Sequence, residues 1–401
     1  MIYKRMFDYE KKFLKHDHLD RLEWMDYDTR VFKMPVIFKR AIDLMFQHHT
    51  LTYSDFGGIK RLRELVIAYE KTLTKCKVDD PPFSFIGSGV SNLIDPVLKS
   101  VFELYNKKHE VVLFAPDYPI FHSVVESVGG IPVIIQAARE NNYLPSIGQL
   151  EDAVGDQTIA VLFANPNNPT GKSFSREWTE KLVDLSRRYD FFILSDEIYI
   201  ESLYDGNKPI HISALNHGYK NYVKFFGLSK DRPGMTGIRC GYCVGDKRLL
   251  PTIEKIQMTK NISNGIISDY LLLLDIALRY KGVSGIQHDD LKYYSEQEIS
   301  SYFETIHNNR ILQKQYNQRV IDRLNSNDRI TDVIPPDGGN AVFFRYYKNL
   351  VASDFVEEFI EKGLATYPSE AFMLNPLKEG SWSRVCVTRD VDKLEKAIER
   401  I

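Results

Sequence analysis

Short apolar runs alternate with amphipathic segments through most of the chain. The runs at 83–86, 110–114, 132–135, 159–164, 191–194, 222–226 and 240–244 are bounded by turn formers and read as strands. Between them apolar residues fall at helical spacing, as in Leu62, Leu65, Val66, Tyr69 and Leu73 behind Gly57-Gly58. Strands alternating with helices predict an α/β fold with a mostly parallel, seven-stranded sheet covered by helices on both faces.

From about 296 to 325 the pattern lengthens into one helix, through Ile299, Tyr302, Phe303 and Ile306 and then Tyr316, Val320 and Leu324. It reads as the connection into a second, smaller domain. There, a strand at 341–345 precedes a helix begun by Ser353 and stopped at Gly363, and a strand at 383–388 precedes a last helix through Val391, Leu394, Ile398 and Ile401. The first 50 residues are polar, aromatic and irregular, with one helix-like stretch near 36–46 and no clear chemistry. Residues 280–295 follow neither period and read as an insertion or lid.

Composition narrows the function. Of 401 residues 43% are apolar, enough for a large domain and a smaller one. Lys and Arg number 52 against 54 Asp and Glu, so the formal charge of −2 offers no footprint for nucleic acid or an anionic membrane. A small molecule is the expected partner. The four cysteines, Cys76, Cys240, Cys243 and Cys386, are too sparse for a disulfide framework, which fits a reducing compartment. Cys240 and Cys243 are spaced as CxxC, but three apart in a strand they point to opposite faces, which disfavours a metal or redox role, and no metal is expected. The charged N-terminus lacks the apolar core of a signal peptide, and the run 271–278, interrupted by Asp275, is too short to span a bilayer. The chain therefore reads as cytoplasmic.

Four clusters carry candidate chemistry. Gly87-Ser88-Gly89-Val90-Ser91-Asn92 follows the first strand and opens a helix, where small residues and helix-start N–H groups form a phosphate cradle; a plain strand-to-helix turn is the competing reading. Asn165-Pro166-Asn167-Asn168-Pro169-Thr170-Gly171 is a rigid loop at a strand end that fixes the Asn168 amide toward a ligand. Ser195-Asp196-Glu197-Ile198-Tyr199 sets a carboxylate and a phenol at another strand end. Asp196 there faces a cation or caps a helix. Finally, Lys230 follows a buried run and is succeeded by Arg239 in a glycine-punctuated loop, the pattern of a desolvated amine beside an anion site. Because these clusters follow strands, they converge on one sheet edge.

Taken in order with Ala115-Pro116-Asp117-Tyr118-Pro119, these motifs resemble the class I/II aminotransferases, pyridoxal phosphate enzymes of fold type I, over roughly residues 50 to 390. The resemblance implies a Schiff-base role for Lys230, pairing of Asp196 with the cofactor's ring nitrogen, and hydrogen bonds from Asn168 and Tyr199 to its phenolic oxygen. It implies stacking by Tyr118, phosphate binding by Gly89, Val90, Ser91 and Arg239, and a grip by Arg384 on the substrate α-carboxylate, beside Asn168. Tyr53 matches a tyrosine that reaches the neighbouring subunit's phosphate, so a homodimer with sites at the subunit interface is implied. The implied layout is residues 1–45 as the N-terminal part of a small α+β domain, 46–300 as the large cofactor-binding domain and 301–401 as the C-terminal part of the small domain.

This sequence departs from the family pattern in places. The spacing from Lys230 to Arg239 is one residue longer than usual, which leaves Arg232 as an alternative phosphate ligand. Gly227 stands where many members have a hydroxyl, Ser369 where a glycine is often found, and Trp24-Met25-Asp26-Tyr27-Asp28 replaces a glycine-bearing turn. The expected function is amino transfer between an α-amino acid and an α-keto acid. The alternative is a lyase, cyclase or oxidase outcome on the same scaffold, with 280–295 as a cap that alters proton access. A non-catalytic regulator lacks a DNA-binding module in the first 50 residues. Asp26 and Asp28 are candidate partners for a cationic substrate, and no arginine can be placed on a second substrate carboxylate.

Overall fold

The computed structural model describes residues 2–48, 51–75, 82–105, 109–204, 208–215, 220–372 and 380–401; Cys76 lies outside them. In chain order the strands are β1 (Asp20–Arg21), β2 (Phe83–Gly87), β3 (Glu110–Ala115), β4 (Ile131–Gln136), β5 (Thr158–Ala164), β6 (Phe192–Asp196), β7 (Tyr222–Gly227), β8 (Gly241–Gly245), β9 (Ile330–Ile334), β10 (Ala341–Tyr346), β11 (Leu364–Ala365) and β12 (Trp382–Cys386). All seven apolar runs become strands of one sheet, ordered β2-β8-β7-β6-β5-β3-β4. β8 runs antiparallel to both neighbours, and the other pairings are parallel. β2, β5, β6, β7 and β8 are buried along their whole length because helices cover both faces, which is why they read as continuous apolar runs rather than as alternation.

One sheet face packs on the helix Ser91–Leu104, whose Leu93, Ile94, Val97 and Leu98 are fully buried. The opposite face is covered at one end by the helices Lys60–Thr74 and Ile266–Ser284, and at the other by Arg176–Tyr189. Cys240 sits in the core on one face and Cys243 in the core on the other. The acidic interruption of the 271–278 run also has a cause: fully buried Asp275 accepts from Arg232 Nε at 2.7 Å and pairs with Arg279 one turn on.

The smaller body is a three-stranded antiparallel sheet, β12-β10-β9, packed on the helices Ala352–Glu361 and Val391–Ile398. The helix Glu296–Asn325 joins the two cores. It begins at a capping box formed by Ser295 and Glu298. Its Ile299, Tyr302 and Ile306 pack in the large core, and its Val320, Ile321 and Leu324 pack under the small sheet.

Two expectations are corrected. Besides the helix Ile37–His48, expected near 36–46, the first 50 residues hold a second helix, Ile2–Phe13, that the sequence did not announce. Only two of its described apolar side chains, Tyr9 and Phe13, are buried, too few to raise a periodic signal among so many charges. Residues 280–295 form no lid. The helix from Ile266 continues to Ser284 despite Gly282, stops at Gly285 in the left-handed conformation (φ 73°), and leads to a turn that buries Leu291 in the large core.

Candidate active site

Parallel strands deliver their following residues to one edge of the sheet. β5 leads to Asn168, β6 ends at Asp196, β7 leads to Lys230, β3 leads to Tyr118, and β2 leads to Gly89, Val90 and Ser91. Because β8 is reversed, Arg239, two residues before its start, arrives at the same edge. All of these line one cavity of about 330 Å³, together with Tyr199 and Arg384. None of residues 280–295 lines it.

The cradle is built by absence of side chains. Gly89 has φ 86°, and a Cβ there would lie 2.7 Å from Arg239 Nη2, so the guanidinium occupies the space a side chain would take. The helix that starts at Ser91 has no side chain capping its N-terminus; the Asn92 and Leu93 N–H groups donate to the Gly89 and Val90 carbonyl oxygens, which leaves those of Val90 and Ser91 for an anion, with the positive end of the helix dipole behind them. The Ser91 hydroxyl lies 3.5 Å from the Tyr118 hydroxyl. At Gly227 a Cβ would stand 2.8 Å from the Cys240 carbonyl oxygen across the β7–β8 hairpin. The hydroxyl expected from the resemblance is therefore excluded by packing.

Arg232 is not at the cavity. It is 2% exposed, donates from Nη2 to the Tyr302 hydroxyl at 2.8 Å and pairs with Asp275. Arg239 is thus the arginine on the cradle side. Tyr53 is 81% exposed and lies outside the cavity of this subunit.

Electrostatics divide the cavity. Burial pushes the Asp196 carboxyl up to about 7, against the pull of the Ile198 N–H on Oδ1 at 3.1 Å, so Asp196 needs a cation to stay charged. Burial lowers the Lys230 ammonium to about 8, aided by the nearby Arg384 and Arg239 and opposed by Cys386 and Asp26. Burial likewise raises the Tyr199 phenol, whose hydroxyl points at Met25 Sδ 3.4 Å away. Arg384 is 5% exposed, donates from Nη1 to Asn168 Oδ1 at 2.6 Å and from Nη2 to the Glu23 carbonyl oxygen at 3.2 Å, and its Nε is buried without a partner. A buried guanidinium hydrogen-bonded to no carboxylate suits an anion. With its acceptor taken, Asn168 offers its amide N–H groups to a ligand.

Pyridoxal phosphate fits these residues. An uncapped helix start and Arg239 suit a phosphate, and Asp196 suits a protonated ring nitrogen. Lys230 supplies an amine partly neutral near physiological pH, and Arg384 suits a substrate carboxylate.

Apart from Trp24 and Met25, which belong to the segment that replaces the glycine-bearing turn, the roof of the cavity was not legible in the sequence. Met6 and Glu10 from the first helix, Arg21, Glu23, Trp24 and Met25 from the segment around β1, and Tyr367 and Phe372 after β11 all line it. Arg21, at the end of β1, and Glu23, in the turn that follows, meet side chain to side chain, a contact that no period in the sequence announces. Asp28, expected near the substrate, instead pairs with Arg30 at 2.7 Å and does not line the cavity, nor does exposed Asp26.

The sequence model of the aminotransferases of class I and II matches residues 24–401. The aspartate aminotransferase of Thermotoga maritima is 27% identical over 357 residues, covering 88% of this chain and 84% of that protein. That of Bacillus sp. strain YM-2 is 33% identical over 217 residues, so the match spans only about half of either chain (53% of each). Among solved structures, an aromatic aminotransferase from Pyrococcus horikoshii superposes with a TM-score of 0.81 at 21% identity, covering 95% of this chain and 94% of that one. The Thermotoga maritima aspartate aminotransferase superposes with a TM-score of 0.78 at 22% identity, covering 99% and 95%. At these identities the superpositions establish the fold, and the match over residues 24–401 establishes the family: the chain belongs to the class I and II aminotransferases.

Proposed function

We propose that the protein moves the amino group of an α-amino acid to an α-keto acid, with Lys230, Asp196 and Tyr199 as catalytic residues. When bound, pyridoxal phosphate would supply an aldehyde for the Lys230 amine and a ring able to accept the electron pair left on the substrate α-carbon. The rest follows from the chain's own groups. Gly89, Val90 and Ser91 with Arg239 hold the phosphate. Asp196, costly to charge in isolation, holds the ring nitrogen's proton. Arg384 and Asn168 orient the α-carboxylate so that the α-proton faces Lys230 Nζ, which takes and returns it. Tyr118 covers the ring, and Tyr199 hydrogen-bonds its phenolic oxygen.

The observation that carries this reading is the buried, unpartnered Nε of Arg384 in the cavity that Lys230 also lines. Nothing favours the lyase, cyclase or oxidase outcome, since the segment offered as its cap packs away from the cavity. A homodimer is supported by the motif match of Tyr53, which is exposed as a residue reaching a second subunit must be. A reducing, cytoplasmic setting is supported by Cys240, Cys243 and Cys386 being free and buried.

The test is a half-reaction. Purified protein loaded with pyridoxal phosphate and given single amino acids should convert the bound cofactor to its amine form and release the matching keto acid in equal amount. Lys230→Ala should stop this while retaining the far-ultraviolet dichroism of the parent. Formation of a product other than the keto acid would replace the reading.

A further inference from the structure

The mouth of the cavity carries an acidic cluster built around one shared arginine. Arg21 donates from Nε to Glu23 Oε1 and from Nη2 to Glu10 Oε1, both at 2.5 Å, and the Tyr367 hydroxyl donates to Glu10 Oε2 at 2.8 Å. Two carboxylates therefore face one guanidinium. Glu23 is 4% exposed, and its Oε2 is buried with no hydrogen-bond partner. Burial raises its carboxyl to about 7 although Arg21 and its own backbone N–H pull the other way. A buried carboxylate oxygen without a donor is unfavourable until something supplies one.

The cluster lies beside Arg384 in the same cavity. The Glu23 carbonyl oxygen accepts from Arg384, so Glu23 stands next to the α-carboxylate receptor. The cations lining the cavity, among the described residues, are Arg21, Lys230, Arg239 and Arg384. Arg384 and Arg239 face the two anions already assigned, and Arg21 has both arms of its fork on carboxylates. A second substrate carboxylate would find no free cation on this chain and would meet Glu10 and Glu23.

We propose that in one of its two half-reactions the site takes an α-amino acid whose side chain ends in a cation, an ω-amino or guanidino group, read by Glu23 with Glu10 adding charge. This rests on the transamination reading for the reaction itself. Trp24, under the Arg21 guanidinium at 4.7 Å from its ring centre, and Met25 supply apolar wall for the methylenes of such a side chain.

The experiment compares L-lysine with L-norleucine, which lacks only the terminal charge, and with L-aspartate. Single-turnover conversion of the cofactor-loaded enzyme should be at least tenfold faster with lysine than with either. Glu23→Gln should lower the lysine-to-norleucine ratio tenfold or more, and Glu10→Gln, at a more exposed carboxylate, should lower it by a smaller factor. Calorimetric binding of the same three amino acids to cofactor-loaded Lys230→Ala should show the same preference without turnover. A preference for norleucine or aspartate, or a ratio unchanged in both variants, overturns the proposal. If no amino acid converts the cofactor, the transamination reading falls by itself, and equal calorimetric binding of lysine and norleucine then overturns this one as well.

Discussion

Replacing Asp196 with asparagine should make the cofactor-free protein more stable and the enzyme nearly inactive. The carboxyl is 4% exposed and pushed from 3.8 up to about 7, chiefly by burial. Between those values the folded state holds a proton that the unfolded state has released, so stability falls as pH rises through that window. Three pKa units at about 1.4 kcal/mol each give a cost of about 4 kcal/mol once the carboxylate is fully charged, at about pH 8, and about 2 kcal/mol at about pH 5. Asparagine keeps the shape and removes the charge. Urea unfolding of the cofactor-free protein, at fixed protein concentration and several pH values, should show Asp196→Asn ahead of the parent, with the gap widening toward pH 8. Cofactor should reverse the order by giving the parent's carboxylate its cation. Transamination should fall by a factor of about 100 or more, the scale of losing one charge-stabilising group. A variant that is less stable than the parent at every pH, with an unchanged pH slope, would refute the reasoning.

Three further outcomes follow. Gly89→Ala puts a methyl 2.7 Å from Arg239 Nη2 at φ 86°, and equilibrium dialysis should show cofactor affinity down about tenfold or more, with secondary structure intact. Gly227→Ser should fail to add a phosphate contact and should instead cost about 1–3 kcal/mol in urea unfolding, because its Cβ meets the Cys240 carbonyl oxygen. In the cofactor-free protein an amine-directed acylating reagent should label Lys230 with a midpoint near pH 8, the neutral amine growing in above that value, whereas solvated lysines titrate near 10.4.

The cofactor side of this site was legible because it is made of short motifs at strand ends. Proline, glycine and asparagine in 165–171, or the glycines of 87–89, mark a turn by composition, and seven apolar runs mark the sheet edge to which the turns belong. The choice between Arg232 and Arg239 was not legible. It depends on Asp275, 43 residues downstream of Arg232, turning inward from an apolar helix to claim it. The substrate side was hidden for the same reason: Glu10, Arg21 and Tyr367 converge only through tertiary packing of the first helix and β1 against β11. Residues 280–295 misled because two glycines break a helical pattern that packing nonetheless sustains to Ser284.

The helix Glu296–Asn325 gives the site a lever arm. Thirty residues at 1.5 Å each make a rod of about 45 Å, of which about 37 Å separate Ile299 from Leu324, so a tilt of about 5° about the Ile299 end displaces the Leu324 end by about 3 Å. Leu324 packs in the same core as Val385, the neighbour of Arg384, while the Ile299 end belongs to the body that carries Lys230. Arg384 and Lys230 line one cavity from bodies joined by this rod, so a tilt of that size would change the distance between them by ångströms.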